Sequence, residues 1–203
     1  MSRRAHLFMI RPDLERIAPP LLPEGFTFRT YRPGDETAWL EVIRGGYGGD
    51  WPEDAFQRFV LSDASFRAER LFFIAQDGGP FDSAPGRPAF GSDAQARREH
   101  GRTGGPCVAV GGAFQNLLHG DRTGYVHMMA VLPEFRRRGL GAALLRKCLL
   151  YFREQGWRDA VLDTEATRLP AIRLYLANGF EPFPEVEADV AKWQSVLSEL
   201  GRP

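Results

Sequence analysis

Residues 134–152 read EFRRRGLGAALLRKCLLYF. Three arginines run into Gly139-Leu140-Gly141, and a helical spacing of apolar residues starts there. The first amides of a helix have no intrahelical acceptor, and the helix dipole adds partial positive charge at that end. Glycines let a ligand approach the backbone, and arginines neutralise further negative charge. The stretch therefore builds an anion site, and a diphosphate is the ligand that suits it best.

Three phosphate-binding patterns compete for this site. A P-loop requires GxxxxGK followed by Ser or Thr, which is absent here. A dinucleotide fingerprint requires its first glycine directly off the strand and a third glycine three residues after the second. Residues 133–138 intervene instead, and Leu144 stands in the third place. Asp163 ends the next strand at a suitable distance, but the chain beyond it is too short for a second nucleotide-binding half. The pyrophosphate of coenzyme A is the third pattern, and it fits best.

Working outward, YVHMMAVLP (125–133) reads as the strand before the turn, and the helix spans Gly139 to about Gln155. DAVLDTE (159–165) is a strand, LPAIRLYLANG (169–179) a short helix stopped by Asn178-Gly179, and FEPF (180–183) a short last strand. Upstream, FTFRTY (26–31) and RLFFIAQDGG (70–79) read as strands. Between them lie two helices. Asp35 caps the first and Gly45-Gly46 ends it; the second covers DWPEDAFQRFVLS (50–62). CVAVGGAFQNLL (107–118) is a strand with a bulge or bend at its glycine pair. Residues 78–106 are rich in Gly, Pro, Arg and Ser, and read as a long loop or insertion, mobile in part. Residues 1–23 form an N-terminal extension that packs on the domain with one short strand. Residues 184–203 hold a terminal amphipathic helix with Val190, Trp193, Leu197 and Leu200 on one face. The expected fold is α/β: a mixed, mostly antiparallel central sheet with helices on its faces.

Bulk composition narrows the function classes. Apolar residues make up 43% and charged residues 26% of 203, ordinary proportions for a globular domain with its own core. Basic and acidic residues balance at 26 each, so no chain-wide field draws nucleic acid or an anionic membrane. No apolar run approaches the ~20 residues of a membrane helix. MSRRAHLFMI breaks at Arg11-Pro12, too short for a secretory core, so a cytoplasmic location is expected by default. Cys107 and Cys148 read as reduced thiols, and no cysteine pair suggests a metal or redox site.

Two separated motifs, VHMMAVLPEFRRRGLGAALL (126–145) and AIRLYLANGF (171–180), resemble those of the GCN5-related N-acetyltransferases. The resemblance covers residues 24–183. It implies a GNAT-type fold, acetyl-CoA as co-substrate and acetyl transfer to a primary amine. Arg136, Arg137, Arg138, Gly139, Leu140, Gly141 and Ala142 would hold the pyrophosphate through their amides. The strand carrying Met129, Ala130 and Val131 would pair with the pantetheine arm, next to a diverging AVLDTE strand. Tyr175 matches the tyrosine that protonates the leaving thiolate, a role that suits a phenol with an ordinary pKa of ~10. The family commonly has asparagine where this chain has Arg168, whose cation could instead reach a coenzyme phosphate or be solvated.

For the base, the candidate is His127, read by alternation onto one strand face with Tyr125, Met129 and Val131. Asp163 and Glu165 are alternatives, and holding amine and thioester together supplies much of the rate in any case. No metal is expected. Neither cysteine has an activating neighbour, so attack is expected to be direct, without an acyl-enzyme. A CoA-binding regulatory or partner-binding module without catalysis is the competing reading. The acceptor stays open among small amines, aminoglycosides, peptide N-termini and protein lysines, and the oligomeric state is not legible.

Overall fold

The computed structural model describes residues 6–77, 105–116, 120–184 and 186–201. The expected loop at 78–106 lies, except for its last two residues, outside the described residues. Seven strands form one sheet: β1 (His6–Arg11), β2 (Phe26–Thr30), β3 (Leu71–Gln76), β4 (Cys107–Gln115), β5 (Thr123–Val131), β6 (Asp159–Glu165) and β7 (Glu181–Pro182). Their order is β2-β3-β4-β5-β6-β1-β7. Every neighbouring pair is antiparallel except β5 and β6. The mixed, mostly antiparallel α/β architecture expected from the sequence is therefore present. The N-terminal strand β1 is an inner strand, bonded to β6 on one side and β7 on the other, with Leu7 and Met9 fully buried.

Among the described residues the α-helices are α1 (Glu36–Tyr47), α2 (Leu140–Glu154), α3 (Leu169–Ala177) and α4 (Glu187–Glu199). The apolar stripe of α2 seats Leu140, Leu144, Leu145, Cys148, Leu149 and Phe152 in one core with Leu7, Met9 and Leu162. Each such aliphatic or aromatic side chain contributes about 1.5–3 kcal/mol on full burial. The opposite face of the sheet carries α1, whose Trp39, Leu40, Val42 and Ile43 pack with Phe73, Val110, Phe114 and Ala130.

Four local expectations need correction. Gly45-Gly46 does not end α1, which runs on to Tyr47 and stops at Gly48. Here the glycines serve close approach: a Cβ on Gly45 would lie 2.5 Å from a Leu132 methyl, and one on Gly46 would lie 2.8 Å from the Ala130 Cβ. Asp35 does not cap α1 with its side chain. Its carboxylate takes two bonds from the half-buried Arg29 guanidinium, at 2.6 and 2.9 Å, and one from the Arg32 amide at 2.7 Å. The second helix is only a short wide turn, Gln57–Leu61, closed by Ser62 N–H to Gln57 C=O at 3.0 Å. On α4, Val190 is exposed and Val196 takes its place beside Trp193 and Leu200.

Candidate active site

Strands β5 and β6 pair at only three positions: Thr123 with Asp159, Gly124 with Ala160 and Tyr125 with Val161. Beyond these the two strands share no ladder, so a gap opens toward their carboxyl ends. Part of the cause is visible in β5. Val110 faces Ala130 and Gly112 faces His127, so Met128 and Met129 together oppose Gly111. The extra residue is a β-bulge, with Met128 left-handed at φ 51°. A bulge bends its strand and interrupts the ladder. The sequence suggests this bulge at the glycines of β4; the surplus residue sits on β5 instead, and Gly111 makes room for it.

The bulge also overturns the expected shared face. Alternation puts Tyr125, His127, Met129 and Val131 together, but one inserted residue flips the parity. Tyr125 and Met128 pack with the α1 core, and His127 stacks on Phe114 of that core at 5.0 Å. Met129 and Val131 pack with the α2 core. Tyr125, His127 and Met128 thus project from one face of the strand, and Met129 and Val131 from the other.

After β5 the chain makes a single turn at Pro133–Phe135, then passes through Arg137 at φ 60° and Gly139 at φ 82° into α2. Gly139 supplies a conformation that side chains resist. The Arg136 amide is committed to Pro133 C=O at 3.2 Å. Among the described residues, no carbonyl accepts from the amides of Arg137 to Ala142. These are the orphan donors of a helix start, and Arg136, Arg137 and Arg138 around them are exposed. The Arg136 guanidinium turns back to Gly46 C=O at 2.8 Å and Val131 C=O at 3.3 Å, which ties the end of α1 to β5. Arg138 lies over the Phe135 ring at 5.3 Å.

Phenols surround the gap. Tyr175 on α3 is 8% exposed, and burial pushes its pKa well up, as do the nearby Tyr47 and Asp163. Burial pushes Tyr47, the last residue of α1, up to about 12. Tyr125 is pushed up by burial and by Asp163, to which its hydroxyl donates. The other Asp163 oxygen meets Nδ1 of His6. Arg168, just before α3, lies over the Tyr47 ring at 4.1 Å and pairs with Glu165 at 3.5 Å. His127 donates from Nε2 to Phe59 C=O at 2.8 Å, and burial lowers its pKa. Burial pushes the Cys148 thiol up to about 12, far from a reactive thiolate. Among the described residues, no group of three His, Cys, Asp or Glu side chains could hold a metal ion.

Local pattern in the sequence located the turn and the strand beside it, and the family resemblance singled out Tyr175. It did not find Tyr47 or His6, nor that Tyr125 bonds Asp163. Tyr47 carried a weak signal in GGYGGDW (45–51), a stretch that could line an acceptor pocket. His6 carried none, because only the long-range pairing of β1 with β6 brings it to Asp163.

Known proteins resemble this chain in sequence and in fold. The mycothiol acetyltransferase of Acidothermus cellulolyticus is 31% identical over 188 residues, covering 88% of this chain and 52% of that protein. The one from Streptomyces bingchenggensis is 29% identical over 172 residues, covering 82% and 46%. The chain thus spans about half the length of these curated relatives. Two solved structures share the fold. A GCN5-related N-acetyltransferase from Sphaerobacter thermophilus has a TM-score of 0.64 at 21% identity, covering 88% of this chain and 48% of that one. The ribosomal-protein-S18-alanine N-acetyltransferase from Escherichia coli has a TM-score of 0.53 at 19% identity, covering 76% of each. The family model described as acetyltransferase (GNAT) family matches residues 37–180, from α1 through the diverging strands to the end of α3, and this chain belongs to that family.

Proposed function

We propose that this chain transfers an acetyl group from acetyl-CoA to a primary amine of a small-molecule acceptor, by direct attack within a ternary complex. One observation carries the reading. Orphan amides and exposed arginines at the start of α2 stand at the open end of a gap between two parallel strands, and a buried phenol borders that gap. Similarity to mycothiol acetyltransferases favours a small-molecule acceptor over a protein.

The donor set fits the coenzyme. The amides of Arg137, Arg138, Gly139, Leu140, Gly141 and Ala142 suit a diphosphate, with Arg137 and Arg138 adding charge. The β5 edge at Met129, Ala130 and Val131 has no β6 partner, so it can bond an extended arm as an added strand does. Arg136 contributes by holding α1 against β5. Arg168 closes the gap over Tyr47. When bound, acetyl-CoA supplies the acyl group as a reactive thioester.

Tyr175 is the general acid. A phenol is protonated at neutral pH, so it has a proton to give the departing thiolate. The amine's own proton goes to a basic group on the α1 side, where His127, Asp163 and Glu165 stand. His127 is held neutral by burial, with Nδ1 as its remaining lone pair. The high thiol pKa at Cys148 supports direct attack over an acyl-enzyme.

The test is thiol release from acetyl-CoA across a panel of primary amines. Release with at least one small amine, abolished by Tyr175→Phe, is expected. Tight CoA binding with no release on any acceptor would replace this reading with a binding module.

A further inference from the structure

We propose that His6, held by Asp163, accepts the proton of the acceptor ammonium, with Asp163 and Tyr125 as positioning residues. The inference rests on the acetyl-transfer reading above.

Helices roof the two faces of the sheet unequally. Helix α1 packs on β4 and β5, and no residue of α3 or α4 belongs to the core on that face. Register places His6 beside Glu165, Phe8 beside Asp163 and Ile10 beside Val161. Antiparallel partners share a face, so these six residues form a floor adjoining the gap, half-exposed except for the buried Val161. Its apolar part suits the body of a small acceptor. Its polar part is the Asp163–His6 pair, nearest the open end of the gap.

Both oxygens of Asp163 are occupied. The Tyr125 hydroxyl donates to Oδ1, and the Nδ1–H of His6 donates to Oδ2. A carboxylate bonded to Nδ1 fixes the tautomer, which leaves Nε2 as the nitrogen with the lone pair. The His6 side chain is 32% exposed and Asp163 is 21% exposed, so a ligand reaches the histidine first. His127 differs, since its Nε2 is spent on the Phe59 carbonyl and its ring stacks on Phe114 with Tyr125 tilted against it.

The step balances simply. An N–H bond of the ammonium breaks, its electron pair stays on nitrogen, and the proton bonds to Nε2 of His6. The imidazolium stands against the Asp163 carboxylate and later returns the proton to water. The charged and titratable groups around this pair are Glu165 on β6, Tyr125 and His127 on β5, Tyr47 on α1, Arg168 and Tyr175 at α3, and Asp63 after the wide turn.

Two measurements test this. In ligand-free protein, nitrogen-15 NMR of the imidazoles should show His6 as the Nδ1–H tautomer in the wild type, with that preference lost in Asp163→Asn. A wild-type Nε2–H tautomer, or no change in Asp163→Asn, would overturn the proposal. The second measurement is the pH–rate profile of thiol release with the amine panel. His6→Asn keeps a donor near Nδ1 and removes Nε2, so a purely structural role predicts near-normal turnover. The proposal predicts a fall in kcat of about 100-fold, loss of the acid limb, an unchanged KM for acetyl-CoA, and partial rescue of His6→Ala by added imidazole. Turnover and acid limb both retained in His6→Asn would sink the proposal alone. A wild type that releases no thiol with any amine would sink the acetyl-transfer reading, and this inference with it.

Discussion

The two sides of the gap between β5 and β6 are built from different material. The α2 side is a backbone site: orphan amides, a left-handed glycine and exposed arginines, all within residues 136–142. The α1 side is a side-chain site in which Tyr47, Tyr125, Asp163, His6 and Arg168 come from five separate stretches. A backbone site reports its ligand through local geometry and so serves any acyl donor that carries the same diphosphate. A side-chain site depends on register, and a change at one strand end changes what it accepts. The first side is suited to a constant co-substrate and the second to a variable acceptor.

Substitutions that separate the two sides give the most informative tests. The largest effect is expected at Tyr175, the proposed general acid. Tyr175→Phe should lower kcat by about 10²- to 10³-fold with CoA affinity unchanged, read by thiol release and calorimetry. A loss of CoA affinity instead would make Tyr175 part of the coenzyme site. Next comes the seam between α1 and β5. Gly46→Val would press on Ala130 and the Val131 backbone, costing about 2 kcal/mol in a denaturant titration. It should raise the KM for the acceptor more than the KM for acetyl-CoA, because α1 carries Tyr47.

A smaller effect is expected from removing charge at the turn. Arg137→Ala with Arg138→Ala should raise the CoA dissociation constant about tenfold, the worth of roughly one charge-assisted hydrogen bond. It should also flatten the salt dependence of binding while kcat at saturation holds. The smallest effect concerns His127. Its folded pKa is depressed by burial, so below its ordinary value of about 6.5 the unfolded chain binds the extra proton first. Its stability contribution is present above that pH and is lost as the pH falls toward the folded value. Thermal midpoints should therefore drop on mild acidification more in the wild type than in His127→Gln. Equal drops would remove His127 from the buried acid-sensitive groups.

The same contrast explains what the sequence disclosed. The strand–turn–helix carrying Arg136 to Ala142 is contiguous, so periodicity and glycine placement located it without tertiary information. The helix of Tyr175 was legible because it has its own start and stop signals, and Tyr175 itself was singled out only by the resemblance of AIRLYLANGF to a family motif. The face of β5 was misread because alternation assumes an unbroken ladder, and one left-handed residue, Met128, reverses the parity beyond it. Gly45-Gly46 was misread because a glycine pair signals helix termination and close packing alike, and only the approach of Ala130 and Leu132 distinguishes them. His6 was silent because its partner lies 157 positions away.

Amide NMR of the full chain, titrated with coenzyme A and separately with inorganic pyrophosphate, tests most directly where the diphosphate is held. The amides of Arg137, Arg138, Gly139, Leu140, Gly141 and Ala142 should show the largest shifts with coenzyme A, and pyrophosphate should move the same set. Saturable coenzyme binding that leaves those six amides unmoved while shifting others would contradict the site assigned to the start of α2, and with it the orientation of the whole gap.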